Sequence, residues 1–362
     1  MIKDGNKKYD HILYLRINEA CNLYCEHCFI PSNPKRMNLE QIKNVPQLVS
    51  NFAQPNDVIL VQWHGGEPTV SPPEFMEQAF ELFSQQTDFK FVHEIQTNLM
   101  NYDKFKNIFK QYFNSKIGVS WDPVIRRTKK NDVESYKEFN EKFWGNIEKA
   151  LSDGIEIYLI ITLTKKLILE YKNPLDLLFL LSNRGITHLH FEKLTPSGNA
   201  KENWSQIGVS NKEYSDYMSK MYDAYLLWNS NEFNSPIYIS PFDGLKNSVL
   251  NLSDKASSYG CWSGACDTRF HTIDANGYQS GCTALTSNGS AQNEKGVSII
   301  SINDILKERK NRQANCKNCK FNKICSTGCL ETPMIDGSGE CSGNYLLFEN
   351  ILKKVEMKNE IK

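Results

Sequence analysis

The chain has 362 residues, 40% of them hydrophobic and 23% charged, so it builds a sizeable core and is not a disordered segment. Its 42 basic residues balance 42 acidic ones to a net charge of +0, which excludes a non-specific nucleic-acid binder or an electrostatic membrane clamp. No apolar run reaches the ~18 residues of a membrane span. Residues 1–10 lack the apolar core of a signal peptide, so the cytoplasm is the expected compartment.

Residues 12–17 (ILYLRI) read as a buried strand and 18–30 as a loop. From 38 to 52, Leu39, Ile42, Val45, Leu48, Val49 and Phe52 recur at helical spacing, with Pro46 expected to kink or shorten the helix. The strand 58–63 ends on Gly65-Gly66, and a helix follows at 73–86. Strands at 91–96, 116–121, 155–163 and 186–191 then alternate with helices at 103–113, 133–151 and 174–183. Six such strands predict an α/β fold with parallel pairing through right-handed crossovers. Six units instead of eight predict an open, partial (β/α)6 barrel. The alternation stops after Pro196-Ser197-Gly198. Residues 211–229 read as one amphipathic helix. The stretch 251–345 is poor in aliphatic residues, with short strands expected near 269–273 and 278–282, and needs metal or cross-links to hold it. Residues 345–360 close the chain as a helix. The expected division is a barrel over 1–198, a helical bridge over 199–255, a cysteine-rich domain over 256–345 and a C-terminal helix over 346–362.

Eleven cysteines need an explanation, because a reducing compartment disfavours disulfides and favours metal binding. Three lie at 21–28, none at 29–260 and eight at 261–341, which points to two metal-binding regions. Cys21-x3-Cys25-x2-Cys28 follows the first strand directly. Three thiolates so close can cap three irons of a cubane and leave the fourth open to a chelating cofactor. A zinc site short of one ligand, or three unrelated thiols, are the alternatives. Gly65-Gly66-Glu67-Pro68 sits at the C-terminal mouth of the barrel, where ligands bind. There the glycines let backbone approach a ligand and Glu67 offers a carboxylate to an ammonium group; a plain turn is the bland reading. Gln96-Thr97-Asn98 and Ser120-Trp121-Asp122 end the third and fourth strands, as ligand contacts or as helix caps.

With these residues in place, CNLYCEHC and the GGEP turn make the chain resemble the radical S-adenosylmethionine (SAM) superfamily. The resemblance implies that Cys21, Cys25 and Cys28 hold a 4Fe–4S cluster whose open iron binds SAM. Gly65, Gly66 and Glu67 would contact its methionine moiety, with Thr97, Asn98, Ser120 and Leu194 as further contacts. Arg126 or Arg127 would pair with its carboxylate. Cys266-x10-Gly277-x4-Cys282, Cys316-x2-Cys319-x5-Cys325-x3-Cys329 and Cys341 resemble the SPASM domain, which carries two auxiliary 4Fe–4S clusters. By that resemblance Cys261, Cys266, Cys282 and Cys329 hold one, and Cys316, Cys319, Cys325 and Cys341 the other. All eleven cysteines are then used, in three clusters.

Members of this family mostly modify ribosomally made peptides or proteins. Val119–Pro123 and Phe191–Gly198 are similar to segments of maturases that cross-link side chains into three-residue cyclophanes, the reaction expected here. The alternative is an anaerobic sulfatase maturase, which makes formylglycine; that branch places an aspartate after the third ligand of the first auxiliary cluster, where this chain has Thr283. An iron–sulfur electron carrier or redox sensor is the non-enzymatic alternative. The expected partners are a precursor peptide and an electron donor such as flavodoxin or ferredoxin, with neither nucleic acid nor membrane. Only about ten residues precede the first strand, too few for a leader-binding domain, so a leader is read by this chain, by a separate recognition protein, or not at all. Arg126–Lys130 is a candidate for an acidic leader or a solvated loop. Trp121 is expected to meet a substrate ring or to fill core.

Overall fold

The computed structural model describes residues 9–30, 33–251, 264–284 and 302–360. Strands β1 (His11–Asn18), β2 (Val58–Gly65), β3 (Lys90–Thr97), β4 (Lys116–Ser120), β5 (Glu156–Leu163) and β6 (His188–Lys193) pair in parallel, each with the next. Helices cross between them as the alternation predicts. Pro46 has the expected effect: the helical stretch breaks at Asn44 into Leu39–Lys43 and Val45–Val49.

Three strands were not all foreseen as part of this sheet. β7 (Tyr238–Ser240) adds to β6 in parallel, inside the stretch expected to be wholly helical. β8 (Phe270–Ile273) pairs in parallel with β1, and β9 (Gln279–Ser280) antiparallel with β8. One nine-stranded sheet results, in the order β7-β6-β5-β4-β3-β2-β1-β8-β9. Main-chain pairing therefore ties the cysteine-rich segment to the six-strand body. The helix Asn211–Ser230, started by a Ser210–Glu213 capping box, lies beside the C-terminal helix Tyr345–Glu360.

The strands alternate in character, and that alternation gives the sheet two different faces. Leu13, Leu15 and Ile17 of β1 join Val61 and Trp63 of β2 and Leu159 and Ile161 of β5 in the core beneath the helices. The opposite face carries Tyr14 and Arg16, and the register sets His64 beside Arg16 and Glu192 beside Thr162. Tyr14 lies within electrostatic reach of Glu192 although four strands intervene. A flat sheet would hold them about 24 Å apart at ~4.8 Å per strand. The sheet therefore curls, and its polar face lines a lumen. Tyr9, Ile12 and Leu60 plug one end with apolar side chains.

On the outer face Trp63 Nε1 donates to His93 Nδ1 at 3.0 Å, against the rings of Phe80 and Phe83. Burial lowers the His93 imidazole from 6.5 to about 4. Between those values the unfolded chain binds the extra proton, so stability is complete above pH 6.5 and is lost as pH falls towards 4. At 1.36 kcal/mol per unit, His93 carries about 2–3 kcal/mol of that loss. Urea unfolding of the wild type from pH 7 to 4 should fall by that much more than for His93→Gln. Parallel curves would show that His93 titrates normally.

Candidate active site

β1 ends at Asn18, and the chain turns at once into the loop of Cys21, Cys25 and Cys28. Three neighbouring loops grip that loop through its main chain. From the end of β2, Gly66 N–H donates to Asn18 O and Glu67 N–H to Ala20 O, both at 2.9 Å. Asn18 Nδ2 returns bonds to Glu67 O and Ser71 Oγ. A Cβ at Gly65 would lie 2.1 Å from Asn18 O, and one at Gly66 2.3 Å from Ala20 O. The glycines are thus required by chain-to-chain packing, since the space beside each Cα is filled by Asn18–Ala20.

From beyond β4, Arg127 O accepts from Tyr24 N–H and Ile125 O from Glu26 N–H. From beyond β6, Gly198 sits at φ +54°, where a Cβ would meet Cys28 O at 2.5 Å. Asn199 then donates from its backbone to Cys28 O and from its side chain to Cys25 O, and Asn203 Nδ2 donates to Glu26 O. These two asparagines carry no catalytic signature, and sequence reasoning missed them.

Asp122 organises the charges beneath the loop. Its Oδ2 accepts from Arg126 Nε at 2.8 Å and lies 2.7 Å from Nη2, with His27 Nε2 at 3.4 Å; its Oδ1 accepts from Thr162 N–H at 2.7 Å. Arg126 Nη1 then reaches Cys25 Sγ at 3.8 Å. Arg127 and Lys166 converge on buried Glu26, and Lys129 pairs with Glu138. The basic run 126–130 is therefore not a free patch. Its two arginines face inward and brace the cysteine loop.

The three thiols feel one another. Burial first, then Glu67, pushes Cys21 up to about 12, with Cys28 adding and the Leu23 N–H opposing. Cys25 is raised by burial against the pull of Arg126, with Cys21 and Cys28 adding to the rise, and Cys28 is raised by burial too. Such thiols stay protonated in the bare loop, and a metal centre binds by displacing their protons. Among the described residues no three donors converge tightly enough for a single metal ion. Three adjacent thiols beside one guanidinium fit an anionic iron–sulfur cluster, gripped by sulfurs that do not meet at one point.

Glu67 is buried and committed. Its Oε1 accepts from Thr69 N–H, Thr69 Oγ1 and Thr97 Oγ1, and its Oε2 from Asn98 N–H at 2.7 Å. Burial pushes its carboxyl up, and these donors pull it back. Asn98 Nδ2 continues to Asn22 Oδ1 at 2.7 Å, so Glu67, Thr97 and Asn98 form one brace from β2 through β3 to the cysteine loop. Ser120 Oγ accepts from Gln96 Nε2 at 2.5 Å. Leu194 is buried with Ile125, Ala200 and Ile207 beyond β6. Trp121 fills core: its Nε1 donates to Asn140 Oδ1, and its ring meets Trp144 edge-on.

In the C-terminal segment Cys316, Cys319, Cys325 and Cys341 line one cavity with Thr327, Gly343 and Phe348. A Cβ at Gly343 would stand 2.7 Å from Cys325 Sγ, so the glycine keeps the cradle open. Burial, opposed by the Thr327 N–H, raises Cys325 to about 12, with the other three thiols adding. This donor set also fits a cluster. Cys266 and Cys329 are brought together by the helix Ile302–Ala314, whose Arg309 reaches Cys266 Sγ at 3.6 Å and whose Arg312 donates to Cys329 O. Cys282 follows β9, and Cys261 lies outside the described residues.

Residues 15–172 match the Radical SAM superfamily. The chain is 23% identical over 342 residues to a cysteine-type anaerobic sulfatase-maturating enzyme of Clostridium perfringens, covering 86% of each. It is 20% identical over 358 residues to the serine-type enzyme of Klebsiella pneumoniae, covering 94% of this chain and 87% of that one. Among solved structures, native anSMEcpe with bound AdoMet superposes with a TM-score of 0.70 at 20% identity, over 97% of this chain and 100% of the other. Streptococcus suis SuiB bound to precursor peptide SuiA gives 0.57 at 14% identity, over 89% and 72%. At these identities the structures show a shared fold. The match to the Radical SAM superfamily takes in the cysteine loop and strands β2 to β5.

Proposed function

We propose that this protein is a radical SAM enzyme that oxidises a Cys or Ser side chain of a peptide or protein to formylglycine. The observation that carries this reading is likeness along nearly the whole chain to sulfatase-maturating enzymes of both the cysteine and the serine type. It favours the formylglycine alternative over the cyclophane reaction expected from the sequence.

In this proposal Cys21, Cys25 and Cys28 hold the 4Fe–4S cluster, and Arg126 balances its charge beside Cys25. Gly65, Gly66, Ser120 and Leu194 stand around the SAM site, while Glu67, Thr97 and Asn98 hold its wall in place. Arg127 is spent on Glu26, while Arg126, held by Asp122 through Nε and Nη2, turns Nη1 to Cys25 and is the cation for SAM or cluster. When bound, the cluster and SAM supply a 5′-deoxyadenosyl radical that removes a hydrogen atom from substrate. The C-terminal cysteines would hold two further clusters able to accept the substrate's electron, and a flavodoxin or ferredoxin would supply the separate electron that reduces the first.

The test is anaerobic reconstitution with reductant, SAM and the Cp18Cys peptide that anSMEcpe binds. We expect about twelve iron per chain, 5′-deoxyadenosine, and a peptide aldehyde that a hydrazide traps. Cys25→Ala should abolish both products, and replacing Cys21, Cys25 and Cys28 together should leave about two-thirds of the iron. Wild-type protein that cleaves SAM and never yields an aldehyde would overturn the reading.

A second reading keeps the cross-link. Thr283, buried after Cys282, stands where the resemblance expects a sulfatase maturase's aspartate. Loss of two hydrogens, with tandem spectra silent inside one motif and no hydrazide adduct, would select it.

A further inference from the structure

The Cys-to-aldehyde reading leaves one task unassigned, because Thr283 carries no carboxylate where that branch has its base. The lumen offers another. Glu192 is the second-last residue of β6, at the same end of the sheet as the cysteine loop, and its side chain is 54% exposed. His190, two residues earlier on the same face, is buried and holds Glu192 Oε1 through Nε2 at 3.1 Å. Opposite stands the Tyr14 hydroxyl, in a side chain 5% exposed, with no hydrogen-bond partner among the described residues. Tyr14 is within electrostatic reach of Cys28, Glu192 and Cys282 together. Tyr14 thus has Glu192 and one cysteine of each group within reach, the surroundings in which a substrate would give up both an atom and an electron.

We propose that Glu192 is the proton acceptor of the oxidation, held by His190, with the Tyr14 hydroxyl donating a hydrogen bond to the substrate across the lumen. The inference rests on the formylglycine reading. The balance is as follows: one hydrogen atom leaves the substrate β-carbon to the 5′-deoxyadenosyl radical. One electron then passes to a 4Fe–4S cluster of the C-terminal cysteines, and the proton on sulfur or oxygen passes to Glu192. A carbon–sulfur or carbon–oxygen double bond forms, and water converts the thioaldehyde to aldehyde with release of hydrogen sulfide. Partial loss of solvation inside the lumen tends to raise the Glu192 carboxyl, but His190's charge and hydrogen bond hold it below the usual range, ready to accept. The other titratable groups on this face of the strands are Tyr14 and Arg16 of β1, His64 of β2, Lys90 and Glu94 of β3, Lys116 of β4, Glu156 and Tyr158 of β5, His188 of β6 and Tyr238 of β7.

The experiment compares reconstituted wild type, Glu192→Gln and Glu192→Asp on the Cp18Cys peptide, following aldehyde and 5′-deoxyadenosine from pH 3.5 to 8, a range that includes the titration of a carboxyl held low. Glu192→Gln should form aldehyde at least tenfold more slowly, raise the ratio of 5′-deoxyadenosine to aldehyde tenfold, and lose the acid limb of the rate profile. Glu192→Asp should recover part of the rate and that limb. Unchanged rate, ratio and pH profile in Glu192→Gln would overturn the inference while leaving the formylglycine reading intact. A wild type that forms no aldehyde overturns both.

Discussion

Replacing Asp122 with alanine should cost about 3–5 kcal/mol of folding stability, because it breaks a buried ion pair from one side. Arg126 would keep its charge in a buried site, with Cys25 Sγ at 3.8 Å in place of a carboxylate. The Thr162 N–H would lose its acceptor as well, and a buried donor left unsatisfied costs about 1–3 kcal/mol by itself. His27, lowered to about 4 by burial, is neutral at neutral pH and gives Arg126 no counter-charge. The loop between β4 and the following helix also carries Ile125 O and Arg127 O, which hold Glu26 and Tyr24. The defect therefore reaches the cysteine loop directly. Urea unfolding reads the stability loss, and iron retained after gel filtration reads the loop. Asp122→Asn keeps an acceptor for Thr162 and should lose about half as much. Equal losses in both variants would mean that the acceptor for Thr162 adds nothing to the charge, and an Asp122→Asn variant as stable as the wild type would mean that the charge contributes nothing.

Sequence periodicity revealed the six central strands because each alternates an apolar core face with a polar one, and no other element imitates that period over five to eight residues. It did not reveal what the polar face does. Tyr14 and Glu192 are 178 positions apart, and only the curl of the sheet sets them across one lumen. β7 was invisible because three residues cannot display a period, and Tyr238–Ser240 is fixed by pairing with His188–His190. The cysteine loop was legible from spacing alone, yet its supports were not. Asn199 and Asn203 look like ordinary helix-start residues, and their hydrogen bonds go to carbonyls about 175 positions away. Gly65 and Gly66 show the reverse case. Their smallness was correctly noticed, and the partner that demands it turned out to be the chain itself.

The helix Ile302–Ala314 was missed because its buried face breaks the usual rule: Ile305 is followed on that face by Arg309 and Arg312, both buried. A pattern search reads two arginines at i+4 and i+7 as solvent-facing. Here they are tethers, and the second large effect follows from the first of them. Arg309 Nε lies 2.9 Å from Asp267 Oδ2 and Nη2 lies 2.8 Å from Oδ1; Nη1 donates to Ser326 O, Thr327 Oγ1 and Gly328 O, and Nη2 reaches Cys266 Sγ. Arg309→Ala should cost about 3–5 kcal/mol, since Asp267 would be left as a buried charge without its partner. Three backbone or hydroxyl acceptors on 326–328 would lose their donor at the same time. That strand of chain runs between Cys325 and Cys329, and its Gly328 already packs a would-be Cβ 2.1 Å from Ser342 O. Loosening it should free Cys266 and Cys329 from each other before it disturbs the core under β1–β6. Proteolysis should accordingly cut the C-terminal segment first, with residues 9–251 retained as the resistant body. Iron should fall by about a third on the proposed assignment of one cluster to Cys266 and Cys329. Arg309→Lys keeps the charge and loses the fork, so it should recover less than half of the stability. A variant as stable as the wild type, with its iron complete, would show that the cysteine-rich segment is held by its clusters and not by this arginine.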